Sequence, residues 1–259
     1  MSGKRARHAL VTGASRGIGL AIADKLLAQD LNVTLMGRGE AGLETAYARL
    51  GQPDRVAWVA ADVSKAAEVR RAFAEACARF GVVDILVNNA GQAVSERFDR
   101  LDEAGWQNML AVNLSGVFHC IQAALPGMYG QGWGRIVNVA STAGLTGYAY
   151  VSAYCAAKHG VIGLTRALAL EAARKGVTVN AVCPGYTETD IVREAVDNIM
   201  AKTGMPREEA KAKLAEVNPQ GRLVQPEEVA DAVAWLCQDG AAAVNGQAIP
   251  VDGGEVMAG

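Results

Sequence analysis

The N-terminal region contains the stretch Thr12-Gly13-Ala14-Ser15-Arg16-Gly17-Ile18-Gly19, directly after a short apolar run. Glycine at three of these positions permits a tight turn and lets the backbone approach a ligand closely, because no Cβ stands in the way. The residues on either side predict a strand before the turn and a helix after it. A helix N-terminus offers free N–H groups and a positive dipole end, which bind phosphate. The stretch therefore predicts a pyrophosphate-binding turn at the start of an α/β sheet, and a turn of purely structural use is the alternative.

Short β-branched runs alternate with longer helical patterns along the rest of the chain. Strands are predicted at residues 9–12, 33–36, 56–60, 85–88, 135–140, 178–182 and 248–251, and helices at residues 19–29, 66–80, 103–128, 153–175 and 226–238. Such alternation predicts βαβ units and a parallel sheet with helices on both faces. Residues 1–259 contain no repeat or linker, so we expect one Rossmann-like α/β domain with a doubly wound parallel sheet of about seven strands.

Residues 187–223 break this alternation, because they contain an amphipathic stretch and no predicted strand. The segment follows a strand end, where open α/β sheets place their ligands. It is therefore predicted to form a lid over a substrate. A pair of surface helices that serves only in packing is the alternative.

The composition limits the expected partners. The chain has 259 residues, of which 51% are apolar, and a formal net charge of −2. Without a basic excess, neither a nucleic acid nor an anionic membrane is expected to bind, and no apolar run is expected to reach the roughly 20 residues of a membrane span. The 5 cysteines lack C-x-x-C spacing and a nearby His at ligand spacing, which predicts reduced thiols and no metal site. The polar start lacks a signal-peptide pattern, so a cytoplasmic protein is expected.

The end of the second predicted strand bears on the choice of dinucleotide. An acidic residue there would accept hydrogen bonds from the adenosine ribose of NAD(H). This chain instead has Arg38, with Arg16 as a second cation in the glycine-rich turn. Guanidinium groups suit a 2′-phosphate, so NADP(H) is predicted as the preferred cofactor. NAD(H) remains an alternative, because Glu40 is close by and both arginines would also suit a solvated loop.

Further motifs accompany the glycine-rich turn. They are Asn88-Asn89-Ala90-Gly91, Asn113, Ser141, Tyr154-Cys155-Ala156-Ala157-Lys158 and Pro184-Gly185. In this combination and order, over essentially its whole length, the chain resembles the short-chain dehydrogenase/reductase family. The long stretch after Gly185 is similar to the larger lids of 3-oxoacyl-thioester and polyketide-type ketoreductases. The resemblance implies an oxidoreductase that moves a hydride between a nicotinamide and a ketone or secondary alcohol.

Carried over position by position, the resemblance implies two sets of site residues. The catalytic set is Asn113, Ser141, Tyr154 and Lys158. The cofactor-binding set is Gly13, Ser15, Arg16, Gly17, Ile18, Gly19, Arg38, Asp62, Val63, Asn89, Ala90, Gly91, Tyr154, Lys158, Pro184, Gly185, Thr187 and Thr189. By the same resemblance Asp62 bonds the adenine, Asn88 holds the fourth strand beside the cofactor, and Thr189 lies near the carboxamide. Position 187 is Thr where family members often carry an aliphatic residue, which leaves the role of that side chain open.

The chemistry expected of these residues follows from their types. Tyr154 and Lys158 are four residues apart, so a helix brings them to one face. A free phenol with a pKa of about 10 is a poor base near neutral pH, and a nearby ammonium is expected to lower the pKa of Tyr154. Tyr154 then gives or takes the proton of the reacting oxygen, on which Ser141 stabilises charge. Asn113 resembles the residue whose helix distortion holds a water against the lysine, and an ordinary polar helix residue is the alternative.

The substrate is only partly indicated. Candidate pocket residues are apolar with a few hydroxyls: Val94, Leu145, Tyr148, Tyr150, Tyr186 and Met200. They suit a 3-oxoacyl thioester or a polyketide-like ketone. Residues 127–134 contain no basic residue for docking a carrier protein, so a coenzyme A ester or a free ketone stays open.

Alternative functions are an NAD(H)-using secondary alcohol or 3-hydroxyacyl dehydrogenase, a sugar-nucleotide epimerase, and a catalytically silent NADP(H)-binding protein. The epimerases need a larger C-terminal domain than this chain has room for, and silent relatives typically lose the Tyr or Lys. Residues 153–163 form an Ala- and Gly-rich helix face, which in this family commonly joins an interface. The resemblance therefore implies a homotetramer or homodimer. His8, His119 and His159 are expected to be structural, because they have no acidic or Cys partner at site spacing.

Overall fold

The computed structural model describes residues 5–257. Within this range seven parallel strands form one sheet in the order β3-β2-β1-β4-β5-β6-β7. The strands are β1 (His8–Thr12), β2 (Asn32–Gly37), β3 (Val56–Ala60), β4 (Ile85–Asn88), β5 (Gly134–Val139), β6 (Val177–Pro184) and β7 (Ala248–Val251). Every strand lies where the sequence predicts it, and the predicted fold class is confirmed.

Helices cover both faces of the sheet. One face carries α1 (Gly17–Leu27), α2 (Glu40–Leu50) and α9 (Pro226–Leu236), and the other carries α3 (Ala66–Phe80), α5 (Gly116–Gln131) and α6 (Ser152–Ala172). The remaining helices are α4 (Glu103–Leu110), α7 (Asp190–Thr203) and α8 (Arg207–Ala215). Buried apolar side chains such as Leu20 and Val233 fill the first layer, and Phe73, Ile121 and Val161 fill the second. Two separate apolar layers hold the sheet from both sides.

The sequence pattern does not predict α2. Only Leu43 and Ala46 of its 11 residues are buried, so its apolar stripe is too short to be recognised. The helix predicted at residues 103–128 is also not regular, because a π-helical turn, Ala111–Ser115, separates α4 from α5.

The expectation that no stretch is apolar enough to span a membrane is wrong. By its length and composition alone, the helical stretch Glu103–Gln131 is long and apolar enough to cross a membrane. Its apolar character has another explanation in the fold, because Val117, Cys120, Ile121 and Met128 are buried in the core beside the sheet. A helix that packs in a core is rich in apolar residues for that reason.

The strand order places a crevice at the carboxyl ends of β1 and β4. The chain runs from β1 outward to β3 and then returns, so β4 lies on the other side of β1. Loops that leave in opposite directions separate here, and open α/β sheets bind ligands at such a point. A Cβ on Gly13, after β1, would lie 2.9 Å from the Cα of Ala90, after β4. The two motifs therefore line the same crevice.

Residues 187–223 form a unit beside this crevice. Helices α7 and α8 share a small apolar cluster of their own, with Val192, Val196, Ala210 and Leu223 buried in it. A parallel bridge between Thr187 and Val224 joins the two ends of the segment. The segment thus leaves the sheet and returns to it at nearly the same place.

Candidate active site

The glycine-rich turn joins β1 to α1. Gly13 and Gly17 have φ angles of +65° and +53°, a region that favours glycine. A Cβ on Gly19 would collide with the carbonyl oxygen of Gly13 and with the side-chain amide of Asn89. That amide donates to the carbonyl oxygens of Thr12 at 3.0 Å and Gly13 at 3.2 Å. Among the described residues no side chain caps the N-terminus of α1. Its first N–H groups are therefore available to an anion.

Three predicted catalytic residues meet at the carboxyl end of β5. The Nζ of Lys158 donates to the carbonyl oxygen of Val139 at 2.9 Å and lies 5.6 Å from the centroid of the Tyr154 ring. Ser141 follows β5, and its side chain lies close enough to Tyr154 to act on the pKa of that phenol. The Oγ of Ser141 also accepts from the Ala143 N–H at 3.1 Å, which fixes the orientation of its side chain.

Asn113, the fourth predicted catalytic residue, lies in the π-helical turn and is fully buried. Its Nδ2 donates to the carbonyl oxygens of Gln92 at 2.9 Å and Met109 at 3.1 Å. The second bond occupies a carbonyl four residues earlier, which a regular helix would satisfy with a backbone N–H. A Cβ on Gly91 would lie 2.9 Å from Asn113 Oδ1 and 3.7 Å from Lys158 Nζ. Gly91 therefore lies between the asparagine and the lysine, and the expected helix distortion is present.

In the protein alone the pKa of Tyr154 is raised, and the expected net lowering is not found. Burial raises the pKa of Tyr154 to about 12, and the effect of Ser141 offsets this only in part. Burial also lowers the pKa of Lys158 to about 8. Both shifts have one cause, which is that a charge is hard to solvate inside the protein.

The residues predicted to bind the adenosine end have different partners. Arg16 Nη1 lies 2.9 Å from Asp190 Oδ2 at the start of α7. Arg38 is exposed. Burial acts to raise the pKa of Asp62. Two hydrogen bonds from Ser64 and the charge of Arg38 outweigh that effect and hold this pKa below its ordinary value. Arg38 thus acts on Asp62, whereas Arg16 ties the glycine-rich turn to α7.

Comparisons with known proteins agree with this site. The model of the short chain dehydrogenase family matches residues 7–199. The chain belongs to the short-chain dehydrogenase family.

Two relatives and one solved structure are similar over nearly the whole chain. The D-beta-hydroxybutyrate dehydrogenase of Cupriavidus necator is 44% identical, over 96% of this chain and 98% of the relative. The 3-oxoacyl-(acyl-carrier-protein) reductase of Vibrio cholerae is 40% identical, over 96% and 97%. A variant of actinorhodin polyketide ketoreductase, solved with NADPH, is 42% identical with a TM-score of 0.93, over 96% of this chain and 97% of that one. The predicted family and enzyme class, an oxidoreductase, are confirmed.

In this short-chain dehydrogenase, the segment after β6 lies against the glycine-rich turn. A Cβ on Gly17 would lie 3.4 Å from Cγ2 of Thr189. The Thr189 hydroxyl donates to the carbonyl oxygen of Thr187 at 3.2 Å, and the Thr187 hydroxyl donates to that of Gly185 at 3.0 Å. The question left open by Thr187 has a structural answer, since its side chain is buried and braces its own loop.

The other predicted cofactor-binding residues surround the same crevice. Ser15 lies under α2, because a Cβ built on Gly42 would be 3.4 Å from the Cβ of Ser15. The Ala90 N–H donates to the Thr12 hydroxyl at 2.9 Å. Val63 packs against Gly116, Ile18 in the first turn of α1 packs on the core, and Pro184 ends β6.

The Asn88 side chain joins two neighbouring strands. Its Nδ2 donates to Asn138 Oδ1 at 2.8 Å, which joins β4 to β5 beneath the site. In turn, the Asn138 amide donates to the Thr165 hydroxyl at 2.8 Å, which fastens α6 to the sheet. These two hydrogen bonds help to position α6 on the sheet. Tyr154 and Lys158 lie on the same helix and are positioned with it.

Sequence reasoning missed one residue of the pocket, Glu255. Its carboxylate accepts a hydrogen bond from the hydroxyl of Tyr148, whose ring meets that of Tyr186 edge-on at 6.4 Å between centroids. Nothing local marks Glu255, because it lies in the turn after β7. Only the adjacency of β6 and β7 in the sheet would have placed it near the site.

The other predicted pocket residues differ in burial. Val94 and Tyr150 are 60% and 63% exposed, and the Tyr150 carbonyl oxygen accepts from the Glu96 N–H at 2.8 Å. Leu145 packs on the main core, and Met200 packs on the apolar cluster of α7 and α8.

The histidines have structural contacts, as predicted. His8 is buried, with Nδ1 2.9 Å from the Gly81 carbonyl oxygen and Nε2 2.8 Å from the Thr34 hydroxyl. His119 and His159 each contact a backbone carbonyl oxygen through Nδ1, at 3.0 Å and 2.9 Å. All five cysteines are free thiols. In the described part of the chain no group of three His, Cys, Asp or Glu residues is placed to hold a metal.

Proposed function

We propose that this protein is an NADP(H)-dependent ketoreductase that reversibly reduces a 3-oxoacyl thioester or polyketide-like ketone to a secondary alcohol. The observation that carries the proposal is the convergence of Ser141, Tyr154 and Lys158 beside the glycine-rich turn. The relatives named for 3-oxoacyl and polyketide ketones support the substrate class.

The residues of the crevice fit a nicotinamide dinucleotide. Gly13, Gly17 and Gly19 leave room that a Cβ would fill, and the uncapped start of α1 offers N–H donors for a pyrophosphate. Asp62, Gly91, Lys158 and Thr189 would hold the remaining parts. The similar polyketide ketoreductase solved with NADPH supports the phosphorylated form, with Arg38 at its 2′-phosphate. When bound, the cofactor supplies or accepts the hydride.

The side chains of the chain supply the proton. A pKa of about 12 keeps the Tyr154 phenol protonated at neutral pH, so the proton that reduction requires is present on it. Ser141 lies beside Tyr154 and can donate to the reacting oxygen. The Lys158 ammonium uses one of its three N–H bonds on Val139, which leaves two for a ribose or a water held by Asn113. In the oxidative direction a charged Lys158 favours the phenolate of Tyr154.

Residues 187–223 serve as the substrate lid in this proposal. Their separate apolar cluster and joined ends allow α7 and α8 to move as one piece, and the Arg16–Asp190 ion pair links that piece to the glycine-rich turn.

We further propose that the enzyme is cytoplasmic and forms a homotetramer or homodimer. On α6, Ala156 is exposed and a Cβ on Gly163 would meet nothing within 4 Å, so this face offers room for a second subunit.

A second candidate is an NAD(H)-using 3-hydroxyacyl dehydrogenase. It is favoured by the ion pair of Arg16, which occupies one of the two cations expected at a 2′-phosphate, and by the relative named for hydroxybutyrate.

The proposed function is tested by reduction of a panel of ketones, followed by the loss of NADPH absorbance. Tyr154→Phe deletes one hydroxyl and should lower kcat by about a hundredfold or more while NADPH still binds. Tyr47→Phe, on the far side of the sheet, is the matched control and should keep its rate. A Tyr154→Phe enzyme with more than about a tenth of the wild-type kcat would show that Tyr154 is not the acid.

A further inference from the structure

An acidic side chain lies inside the cluster of tyrosines beside the proposed active site. Tyr148 donates its hydroxyl proton to one carboxylate oxygen of Glu255 and lies 3.0 Å from the Thr142 hydroxyl oxygen. A phenol has a single proton, so the Thr142 hydroxyl is the donor in their bond. Thr142 directly follows Ser141. The carboxylate is thus connected to the catalytic serine through two side chains and one peptide bond.

The second oxygen of Glu255 faces the active-site end of β6. A Cβ on Gly185 would lie 2.8 Å from Glu255 Oε2, so this oxygen occupies the space that glycine leaves open. The pKa of the adjacent Tyr186 is raised first by burial and also by the charge of Glu255. The charge of an ionised Tyr186 would in turn act to raise the pKa of Tyr154. Tyr186 therefore lies within electrostatic range of both the catalytic tyrosine and the carboxylate.

The turn that carries Glu255 is held firmly. The buried Asp252 accepts from the N–H groups of Gly254 and Val256, each at 2.9 Å. Gly253 lies directly against Asn218, a residue of the lid segment, where a Cβ would collide with the asparagine amide. These contacts hold the backbone on both sides of Glu255 and so position its carboxylate.

Within residues 5–257, the charge of Glu255 is not neutralised by an ion pair. Its Oε2 is buried without a hydrogen-bond partner, and the charged group that acts on it is a second carboxylate, Asp252. Burial raises the pKa of Glu255, while the hydrogen bond from Tyr148 acts in the opposite direction. A negative group that approached this corner would meet like charge where water screens it poorly.

On this geometry, and on the function proposed above, we propose that Glu255 is a specificity-determining residue that selects uncharged ketones and rejects free 3-oxo acids. The carboxylate repels an acid group beside the ketone, whereas an uncharged substrate meets no such repulsion. The substrates of this enzyme are then esters, thioesters or neutral polyketide-like ketones.

The test compares acetoacetate with ethyl acetoacetate, which present the same ketone with and without a negative charge. The assay is run at about pH 8, because burial raises the pKa of Glu255 and a mildly alkaline solution favours its carboxylate. Under these conditions the wild type should prefer the ester in kcat/KM by about a hundredfold or more. Glu255→Gln keeps the shape and an acceptor for Tyr148 but removes the charge, and should reduce that preference at least about tenfold by improving the use of acetoacetate. Glu44→Gln removes one negative charge from the exposed surface of α2 and should leave the preference unchanged.

The outcomes separate the two proposals. If the wild type reduces neither compound nor any other ketone, the proposed function fails, and the role of Glu255 fails with it. If both compounds react and Glu255→Gln keeps the wild-type preference, the function stands and the role of Glu255 is overturned.

A measurement on the wild type covers the case in which Glu255→Gln does not fold. Butyrate and butyramide, similar in shape and different in charge, are compared as competitive inhibitors of ester reduction. We expect butyramide to bind at least about tenfold more tightly, and equal inhibition constants would contradict the proposal.

Discussion

At the residue scale, the site depends on what burial does to two ionisable groups. A protonated Tyr154 suits the reductive direction, and a Lys158 with a pKa of about 8 is only just charged under physiological conditions. The enzyme therefore holds its ammonium at a point where a small change in surroundings decides its charge. A mildly alkaline solution should remove that charge.

Lys158 should give cofactor binding a pH dependence. Its ammonium loses charge as the pH rises through about 8, and a neutral amine donates weaker hydrogen bonds to ribose hydroxyls. The Kd for NADPH, measured by fluorescence, should therefore rise above this pH in the wild type. Lys158→Met has no charge to lose, so its Kd should be higher and should lack that step. The same step in both proteins would assign the titration to another group.

Arg38 should control the choice between the two dinucleotides. Hydrogen bonds to charged groups contribute about 1.5–3 kcal/mol each, less where solvent screens them. We expect NADPH to be preferred by roughly tenfold to a few hundredfold in kcat/KM, and Arg38→Asp to shift the preference towards NADH. Arg16→Ala is the comparison variant and should have a smaller effect, because Asp190 already binds Arg16. Steady-state kinetics with both cofactors measures this, and equal use of NADH by the wild type would contradict it.

At the scale of elements, the junction of β1 and α1 tolerates no side chain at its third glycine. Gly19→Ala places a Cβ against the backbone of Gly13, so the strand and helix must separate. We expect a loss of about 1–3 kcal/mol in the free energy of unfolding, together with weaker NADPH binding. Urea unfolding and a binding titration measure the two effects.

Gly130→Ala is the control for this junction. Gly130 lies in α5, where an added Cβ meets nothing within 4 Å. This variant should be neutral or more stable by up to about 1 kcal/mol, because alanine favours the helix. If both variants had the same stability, close packing would not be the reason for glycine at position 19.

At the scale of the whole molecule, the buried His8 couples stability to pH. Burial lowers the pKa of His8, against the raising effects of the Gly81 carbonyl and Asp84. As the pH falls below about 6.5, the unfolded chain takes up a proton that the folded protein resists, so stability decreases by at most about 1.4 kcal/mol per pH unit from this group. Above that pH the contribution is constant.

His8→Gln keeps polar atoms near Gly81 and Thr34 but does not titrate. Urea unfolding at about pH 7.5 and 5.5 should show a smaller loss of stability in the variant than in the wild type. An equal loss in both proteins would mean that the carboxylates alone account for the pH dependence.

The sheet, the family and the four catalytic candidates can all be predicted from the order of residues alone. Strands buried on both faces are continuous β-branched runs, and a glycine-rich turn between strand and helix has a local cause, so neither needs distant contacts to be recognised. The order of residues did not predict α2, whose short apolar stripe becomes visible only once the helix lies on the sheet.

The electrostatics of the site and the surroundings of the pocket depend on contacts between distant residues, so they become visible only in the folded protein. The pKa of Tyr154 depends on burial by elements far apart in the chain, so its spacing from Lys158 predicted the wrong direction. Arg16 pairs with Asp190, and Glu255 contacts Tyr148 across 107 positions of the chain. Both contacts form because parallel strands bring the loops at their carboxyl ends together, whatever their separation in sequence. Local patterns specify elements, whereas charge and solvation depend on which elements become neighbours.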